Sequence, residues 1–528
     1  MSALVPWQPR KVSILWLDLD NGRAVTDDGR ALIVGNHRDQ RPKLAEVLAA
    51  ASYAECPRVM LSGSKPPPAY LMGAAGGWTH GTHHLDPIAP VGRYTNTDDG
   101  RAFEIRRAAE WFGAGDYKPH QAAAAWRELS HALAEAIPGM ERPLASPAAT
   151  GREAWLRSRS FDQDKKPIDP PQVSAEVAEL LRSTSGQHRI ELFPPTGWGI
   201  TATGPVEPVA PANELWLLDG RLMYVACVRE LGIGPAEMLT DAGAAHLFDS
   251  NPYARARYQV RATVPSWWDT AGILPHKDTG NIRGAWEYPS KPGRSFTTWA
   301  DAAEVHLAWQ NGWAIRFQAG MMFQPGRPLD TWAARLLRAY DRAGLDPEPG
   351  RAQLVRAGLR WMLLHSIGAW HSAGRTETTI TPTPMARPTG EGWGPPTVER
   401  GRAVWRRKVP LDGRAAAMSH PEWSSQIWGR ARARVLWAPT AVKGTYAGAL
   451  TIPPTELVSI YGDAVMTTQR PPWAAARYDD GKPGRLRVKG HLPDLAAAGG
   501  WPTTSARRDR LMHAAEAFGG PLAHPEGE

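Results

Sequence analysis

Cysteine is almost missing from this chain. Cys56 and Cys227 lie far apart and without CxxC spacing, which excludes a disulfide framework and a cysteine-rich zinc site. Long apolar runs are missing too. The run around Ile14 to Leu17, within MSALVPWQPRKVSILWLDLD, is too short for the core of a signal peptide, and no later segment approaches the roughly 18 apolar residues of a membrane helix. The expectation is a soluble, cytoplasmic protein with no membrane partner. Neither G-x4-G-K-[ST] nor a dinucleotide fingerprint occurs, which argues against a P-loop motor or a Rossmann enzyme, and there is no internal repeat. No sign of charge dominates: 61 Lys and Arg against 53 Asp and Glu leave +8 over 528 residues, a bias that suits a polyanionic partner where it is clustered.

Tryptophan and proline are plentiful, at 24 and 48. Trp brings large apolar area with one polar N–H, and Pro punctuates extended segments, so many short elements with long ordered connections are expected. The length suits roughly two to four domains.

Apolar, β-branched residues 11–20 (KVSILWLDLD) predict a buried strand presenting Asp18 and Asp20 at its C-terminal end, with RALIVGNH as hairpin partner. A helix over 42–55, a strand at PRVMLSG, and helices over 100–112 and 119–136 continue an α/β pattern. The Pro-rich stretch from Lys166 to Pro171 reads as a linker. Beyond it come a helix at 173–182, a strand HRIELF, and a strand ELWLLDG running into a helical RLMYVACVREL. Then follow a strand at 255–264, a helix at 298–310, a strand WAIRF and helices at 330–343 and 351–371. Residues 373–400, rich in Thr, Pro and Gly, read as a long loop or a disordered excursion. The last third predicts a helix at 421–437 and strands LVSIYGD and GRLRVKG.

Two acids stand where chemistry needs them. Asp219 ends an apolar strand with Tyr224 five residues on, and Asp463 follows Tyr461-Gly462 in a second β-rich run. Phosphoryl transfer requires carboxylates fixed on rigid elements to bridge divalent cations, beside an aromatic ring that packs on the sugar. Each acid alone also fits a turn. His80, His83 and His84 with Asp86 suit either a metal cluster or a replication-initiator histidine pair, and equally a solvated turn. The segment Arg402 to Lys408 and the helix bearing Arg430, Arg432 and Arg434 interleave Trp with Arg, as a phosphate-tracking surface or a solvated helical face would.

In order along the chain these motifs resemble the palm of family B DNA polymerases, in the protein-primed branch of phages and linear plasmids. Asp219 with Tyr224 is similar to the first motif, Asp followed by Ser-Leu-Tyr-Pro, and Tyr461-Gly462-Asp463 to the third, Tyr-x-Asp-Thr-Asp. Leu363 to Gly368, preceded by Arg356 and Arg360, sits where the Lys-x3-Asn-Ser-x-Tyr-Gly helix belongs, one residue short and with His365 for the Asn. RIELFPPTG resembles the Gly-Arg-x-Glu-x-Phe segment before the first motif, and GRLRVKG with Lys489 falls where the family carries a basic strand near the primer terminus. The resemblance spans roughly residues 185–495. Val465 stands in place of the second Asp of the third motif, and Val225 in place of the Pro.

The resemblance implies an α/β multidomain fold: an N-terminal RNase-H-like domain followed by a polymerase-like palm with fingers and thumb. The boundaries are 1–165 for a degenerate exonuclease-like domain, 166–330 and 373–475 for the palm, 331–372 for the fingers helices and 476–528 for the thumb and tail. It implies DNA-templated nucleotidyl transfer in replication of a mobile or linear element, with DNA, deoxynucleoside triphosphates and a terminal or priming protein as partners. Asp219 and Asp463 would hold Mg2+ or Mn2+; Tyr224, Arg356, Arg360 and His365 would bind nucleotide; Tyr461, Lys489, Arg430, Arg432 and Arg434 would bind DNA. Asp18, Asp20 and Asp98 would be the remnants of an exonuclease site. Val465 supports the alternative, a catalytically silent relative that binds DNA as a replication-initiation or DNA-end-binding factor. A third reading, a His-dependent nicking initiator, rests on residues 80–86 alone.

Overall fold

The computed structural model describes residues 12–35, 41–64, 68–71, 73, 75–81, 91–113, 115–160, 163, 168–186, 189–193, 213–277, 286–399 and 401–518. The chain forms two compact units, each built from two stretches: Met1–Asp169 with Thr331–Ser419, and Pro170–Asp330 with His420–Glu528.

In the first unit the apolar run at the start becomes the strand Ile14–Asp18. It lies parallel to Arg58–Ser62, which lies parallel to Ala102–Arg107. Strands with both faces covered need no polar alternation: Leu15 and Leu17 meet Val47 and Leu48 of helix Leu44–Tyr53, while Trp16 packs on Phe112 and on Trp126 of helix Pro119–Ala136. The edges are antiparallel: Arg23–Thr26 and Ala31–Ile33 on one side, Gly92–Asn96 and Trp78–His80 on the other. Two expectations are corrected here. RALIV pairs with Arg23–Thr26 rather than with the first strand, because Gly22 at φ +71° closes a tight turn on Asp18 and brings Arg23–Thr26 in first. Residues 100–112 form the strand Ala102–Arg107 and a short helix Ala109–Phe112, not one helix; Phe103 and Ile105 alternate into the core after the hairpin turn that Gly100 closes at φ +70°.

Helix Pro349–His371 packs on helix Pro147–Ser158, both in the first unit. The approach is close enough to require Gly151, where a Cβ would lie 2.7 Å from the Met362 carbonyl. Trp332, in helix Asp330–Ala343, donates to the Gly151 carbonyl at 2.9 Å and its ring sits 5.1 Å from Trp370. The stretch 331–372 is therefore part of this unit's core. The expected loop over 373–400 is narrower than that, spanning 382–396: Gly374–Thr381, Arg402–Pro410 and Thr397–Glu399 make a three-stranded antiparallel sheet in that order. The β-branched run TETTIT favours a strand despite the flanking Pro and Gly, and Trp393 packs beneath Arg407 at 4.6 Å.

Among its described residues the second unit carries two larger antiparallel sheets beside two two-stranded ones. One has the order Gly232–Thr240, Ala314–Pro325, Ala256–Thr263, Ser295–Asp301. The other, of five strands, runs Leu486–Leu492, Leu215–Gly220, Ala464–Thr467, Leu457–Tyr461, Ile190–Leu192. Leu215, Leu217, Ala464 and Met466 face Leu511 and Ala515 of helix Ser505–Phe518. The expected helix at 298–310 starts at Ala302, because Asp301 ends the strand and caps the helix, accepting from the Ala303 N–H at 3.0 Å while Glu304 accepts from Asp301. The helical run expected after Asp219 shrinks to Met223–Ala226, and the Gly- and Pro-containing strand Gly232–Thr240 follows it. Helix Pro421–Leu436 is buried at every position but Arg430 and Arg434. Among the described residues no helix is long and apolar enough to cross a membrane.

Candidate active site

Asp219 sits near the end of Leu215–Gly220, paired with Ala464 on one side and Arg487 on the other. The hairpin of the third motif turns through Gly462 and Asp463. Gly462 takes φ +62°, and a Cβ there would lie 3.4 Å from the Tyr224 hydroxyl. The Gly220 N–H donates to the Asp463 carbonyl at 3.0 Å. Asp219, Tyr224, Tyr461, Asp463 and Lys489 are thus gathered at one end of a single sheet, as expected from their order. Tyr461 is covered by the Arg508 guanidinium at 4.2 Å.

Register decides which way the acids look. Cross-strand partners share a face and neighbours alternate. Asp219 pairs with Ala464 and shares the face of Leu215 and Leu217, under helix Ser505–Phe518, whereas Val465 pairs with Leu218 on the opposite face and is fully buried. Lys489 is the extra residue of a β-bulge between Val488 and Gly490. Its Nζ lies 3.6 Å from Asp219 Oδ2 and 2.9 Å from Glu516 Oε1. Gly490 lets the C-terminal helix sit directly on the strand: a Cβ there would come within 2.4 Å of the Ala515 carbonyl. Asp219, only 7 % exposed, has its charge answered by a lysine beneath a helix.

The family resemblance implies two divalent cations here. The donors present, Asp219 and Asp463 on adjacent strand ends, are one acid short of the family's set. Asp219 is ion-paired, position 465 is apolar and faces away, and no cluster of three or more His, Cys, Asp or Glu side chains suited to a metal occurs among the described residues.

The other expected site residues are distributed as follows. Arg356, Arg360 and His365 belong to helix Pro349–His371 of the first unit. Arg356 lies over the Tyr340 ring at 4.3 Å, Arg360 over Trp361 at 5.1 Å, and burial with the nearby Arg360 lowers the pKa of His365. Of the three arginines expected on DNA, Arg432 is corrected outright: it is 4 % exposed and grips Glu304 at 2.7 and 3.0 Å. Arg430 donates to the carbonyls of Arg229 at 2.7 Å and Glu230 at 3.2 Å, and Arg434 lies against Gly484.

In the first unit the carboxylates of Asp18 and Asp20 converge over Gly63, where a Cβ would lie 2.7 Å from an oxygen of each. Their oxygens are used locally. Asp18 accepts from the Asp20 N–H at 2.9 Å and Asn21 Nδ2 at 2.7 Å; Asp20 accepts from the Ser64 N–H at 2.7 Å and Arg41 at 3.3 Å. Burial pulls Asp20 upward, but the Ser64 and Arg41 hydrogen bonds outweigh it and lower its pKa. Asp98 lies in the hairpin turn preceding Ala102. The register Ile14–Arg58–Glu104 puts that turn at the opposite end of the sheet from Asp18, roughly 20 Å or more away at the usual strand rise, so the three acids are not brought together. His80 Nε2 stands 2.9 Å from an Arg402 guanidinium nitrogen, and burial together with that charge holds its pKa down to about 4. His83, His84 and Asp86 lie outside the described residues.

Sequence reasoning missed Glu516, Arg508 and a buried ionic core in the second unit. There Glu304 joins Arg432, and burial pushes Asp301 up to about 6 against the pull of Arg430. Gly429 was its one sequence-level trace: a Cβ there would meet Asp301 Cβ at 2.2 Å.

No family profile matches the chain and no curated protein matches it. Among solved structures, Phi29 DNA polymerase in an orthorhombic crystal form superposes with TM-score 0.53 at 11 % identity, covering 92 % of this chain and 85 % of that one. The same polymerase complexed with primer-template DNA and incoming nucleotide gives 0.53 at 12 %, with the same coverage. The chain therefore has a multidomain α/β fold similar to that of Phi29 DNA polymerase.

Proposed function

We propose that this chain is a DNA-binding protein on a polymerase fold that has given up strand extension, acting as a replication-initiation or DNA-end-binding factor of a mobile or linear element. One observation carries the reading: the Asp219 carboxylate is ion-paired with Lys489 beneath a helix, while the residue in place of the second acid, Val465, is buried on the other face of the sheet. DNA as partner is supported by the likeness to a polymerase solved with primer-template DNA and by the net charge of +8. The order of the seven-stranded sheet, with a parallel centre and antiparallel edge, supports an RNase-H-like reading of the N-terminal domain. The domain boundaries expected from the resemblance belong to the same proposal, as do a protein-primed ancestry and a terminal protein as partner.

The test is anisotropy with labelled primer-template DNA over a salt series, run beside primer extension with Mg2+ and with Mn2+. Binding that weakens steeply with salt, with no extension, is the expected result. The second reading, active nucleotidyl transfer, is favoured by the bond from Gly220 to Asp463 that sets two acids on adjacent strand ends. Extension abolished by Asp219→Asn would establish it in place of the first.

A further inference from the structure

In the first unit, helices Pro119–Ala136 and Asp330–Ala343 flank a cavity of about 620 Å³. Glu128 and Glu135 line it from one helix, Arg335, Arg338 and Arg342 from the other, and Arg351 from the start of the next. The three arginines are spaced i, i+3 and i+7, so they share one helix face. Two of the four guanidiniums are answered: Arg342 pairs with Glu135, and Arg351 with Asp346 at 2.6 and 2.7 Å. Arg338 bonds only a carbonyl of its own helix, that of Ala334 at 3.3 Å, among the described residues. Arg335 is half-buried, and its Nη1 is buried with no hydrogen-bond partner among the described residues.

Neither Arg335 nor Arg338 is ion-paired among the described residues, although both line the cavity, and a charged oxygen is the partner a guanidinium binds best. Two such arginines one turn apart on a cavity wall suit adjacent phosphates. The volume lies within the range of small-molecule sites and exceeds what a single phosphate needs, and Glu128 is an acceptor for a sugar hydroxyl or a base amino group. We propose that this cavity binds a nucleoside polyphosphate, with Arg335 and Arg338 on phosphate oxygens and Glu128 on the nucleoside. The site is separate from Arg356 and Arg360, which are stacked on Tyr340 and Trp361, and does not depend on the fate of the palm. A DNA strand presents the same phosphate chemistry; the concave shape between two helices favours the free ligand.

The experiment is calorimetry on the full chain in EDTA, which removes any cation-dependent nucleotide binding. The probes are inorganic tripolyphosphate, dATP and deoxyadenosine. Tripolyphosphate and dATP should bind, dATP the tighter, and deoxyadenosine should not. Arg335→Gln with Arg338→Gln should raise both Kd values by about tenfold or more, with affinity for primer-template DNA unchanged. Glu128→Gln should weaken dATP but not tripolyphosphate. Failure of the wild type to bind tripolyphosphate overturns the proposal, as does unaltered binding by the double variant. Loss of DNA affinity with polyphosphate binding intact would also overturn it and give the arginines to the DNA backbone. Should the double variant fail to fold, the wild-type contrast between tripolyphosphate and deoxyadenosine still decides.

Discussion

In the first unit Asp18 closes a strand and turns its oxygens back into the following loop, bonding Asp20 and Asn21 within three residues. In the second unit Asp219 stands at an equivalent place on its strand but reaches across the fold, to Lys489 on a bulged neighbour and through it to Glu516 on a helix. The first is a turn-forming acid at a solvated edge. The second is a buried charge that was given a fixed partner. Taking a carboxylate out of water is expensive unless it is paired, so Asp219 is held by the fold around it, and substitutions near it should report far more strongly than those near Asp18.

The largest effect is expected at Val465, where restoring the acid of the polymerase motif would ordinarily be read as repair. Val465 faces away from Asp219 and is fully buried opposite Leu218. Val465→Asp should therefore lose about 4 kcal/mol or more in urea unfolding and gain no primer extension. Extension that appears with stability intact would break the comparison, because it would require the hairpin to shift by one residue and bring position 465 onto the face of Asp219.

Asp301 is a third acid at a strand end, and it sharpens the contrast. Burial pushes it up to about 6 from 3.8, so the folded state holds a proton that the unfolded chain releases. Stability from this group is present below about pH 4 and is lost as pH rises through 6. Asp301→Asn keeps an oxygen for the Ala303 N–H. It should match wild type near pH 4 and exceed it at pH 7 by about 2–3 kcal/mol. A variant less stable at pH 7 would show that Arg430 compensates the charge in full.

Gly490→Ala tests the helix that covers Asp219. The added methyl would come within 2.4 Å of the Ala515 carbonyl, which is backbone and cannot swing aside. A loss of about 2 kcal/mol is expected, with Asp219 and Lys489 becoming exposed as the helix lifts. Unchanged protection of Leu217 and Leu218 amides from hydrogen exchange would show that the helix does not seal the strand.

The sequence made the ends of this story legible and hid its middle. Asp219, Tyr224 and Asp463 could be placed together because apolar strands ending in acids are local patterns, and the polymerase-like order tied them into one sheet. Lys489 could be found only as a basic strand residue; that a bulge turns it toward Asp219 depends on pairing between strands 270 positions apart, which no local pattern records. The arginines of Pro421–Leu436 read as a basic face by spacing, yet Arg432 points inward because Glu304, far earlier in the chain, is there to meet it. Residues 373–400 were hidden differently, since Pro and Gly at the turns outweighed the strand propensity of TETTIT.

The smallest effect belongs to Asp20, two residues past Asp18 in the turn at the solvated edge. Its pKa is lowered, because the Ser64 and Arg41 hydrogen bonds outweigh its burial, so its contribution to stability is present above the ordinary carboxylate range and is lost as pH falls through its own lowered value. The side chain is 44 % exposed, and solvent screens much of the Arg41 attraction. Asp20→Asn should cost under about 1 kcal/mol at pH 7, and the difference from wild type should shrink as pH falls below the ordinary carboxylate range. Thermal melting of the two proteins across that range reads the effect directly. A larger loss that persists in acid would mean that Asp20 acts through packing over Gly63 rather than through charge. Asp20 and Asp219 would then differ only in depth, since both would be structural wedges.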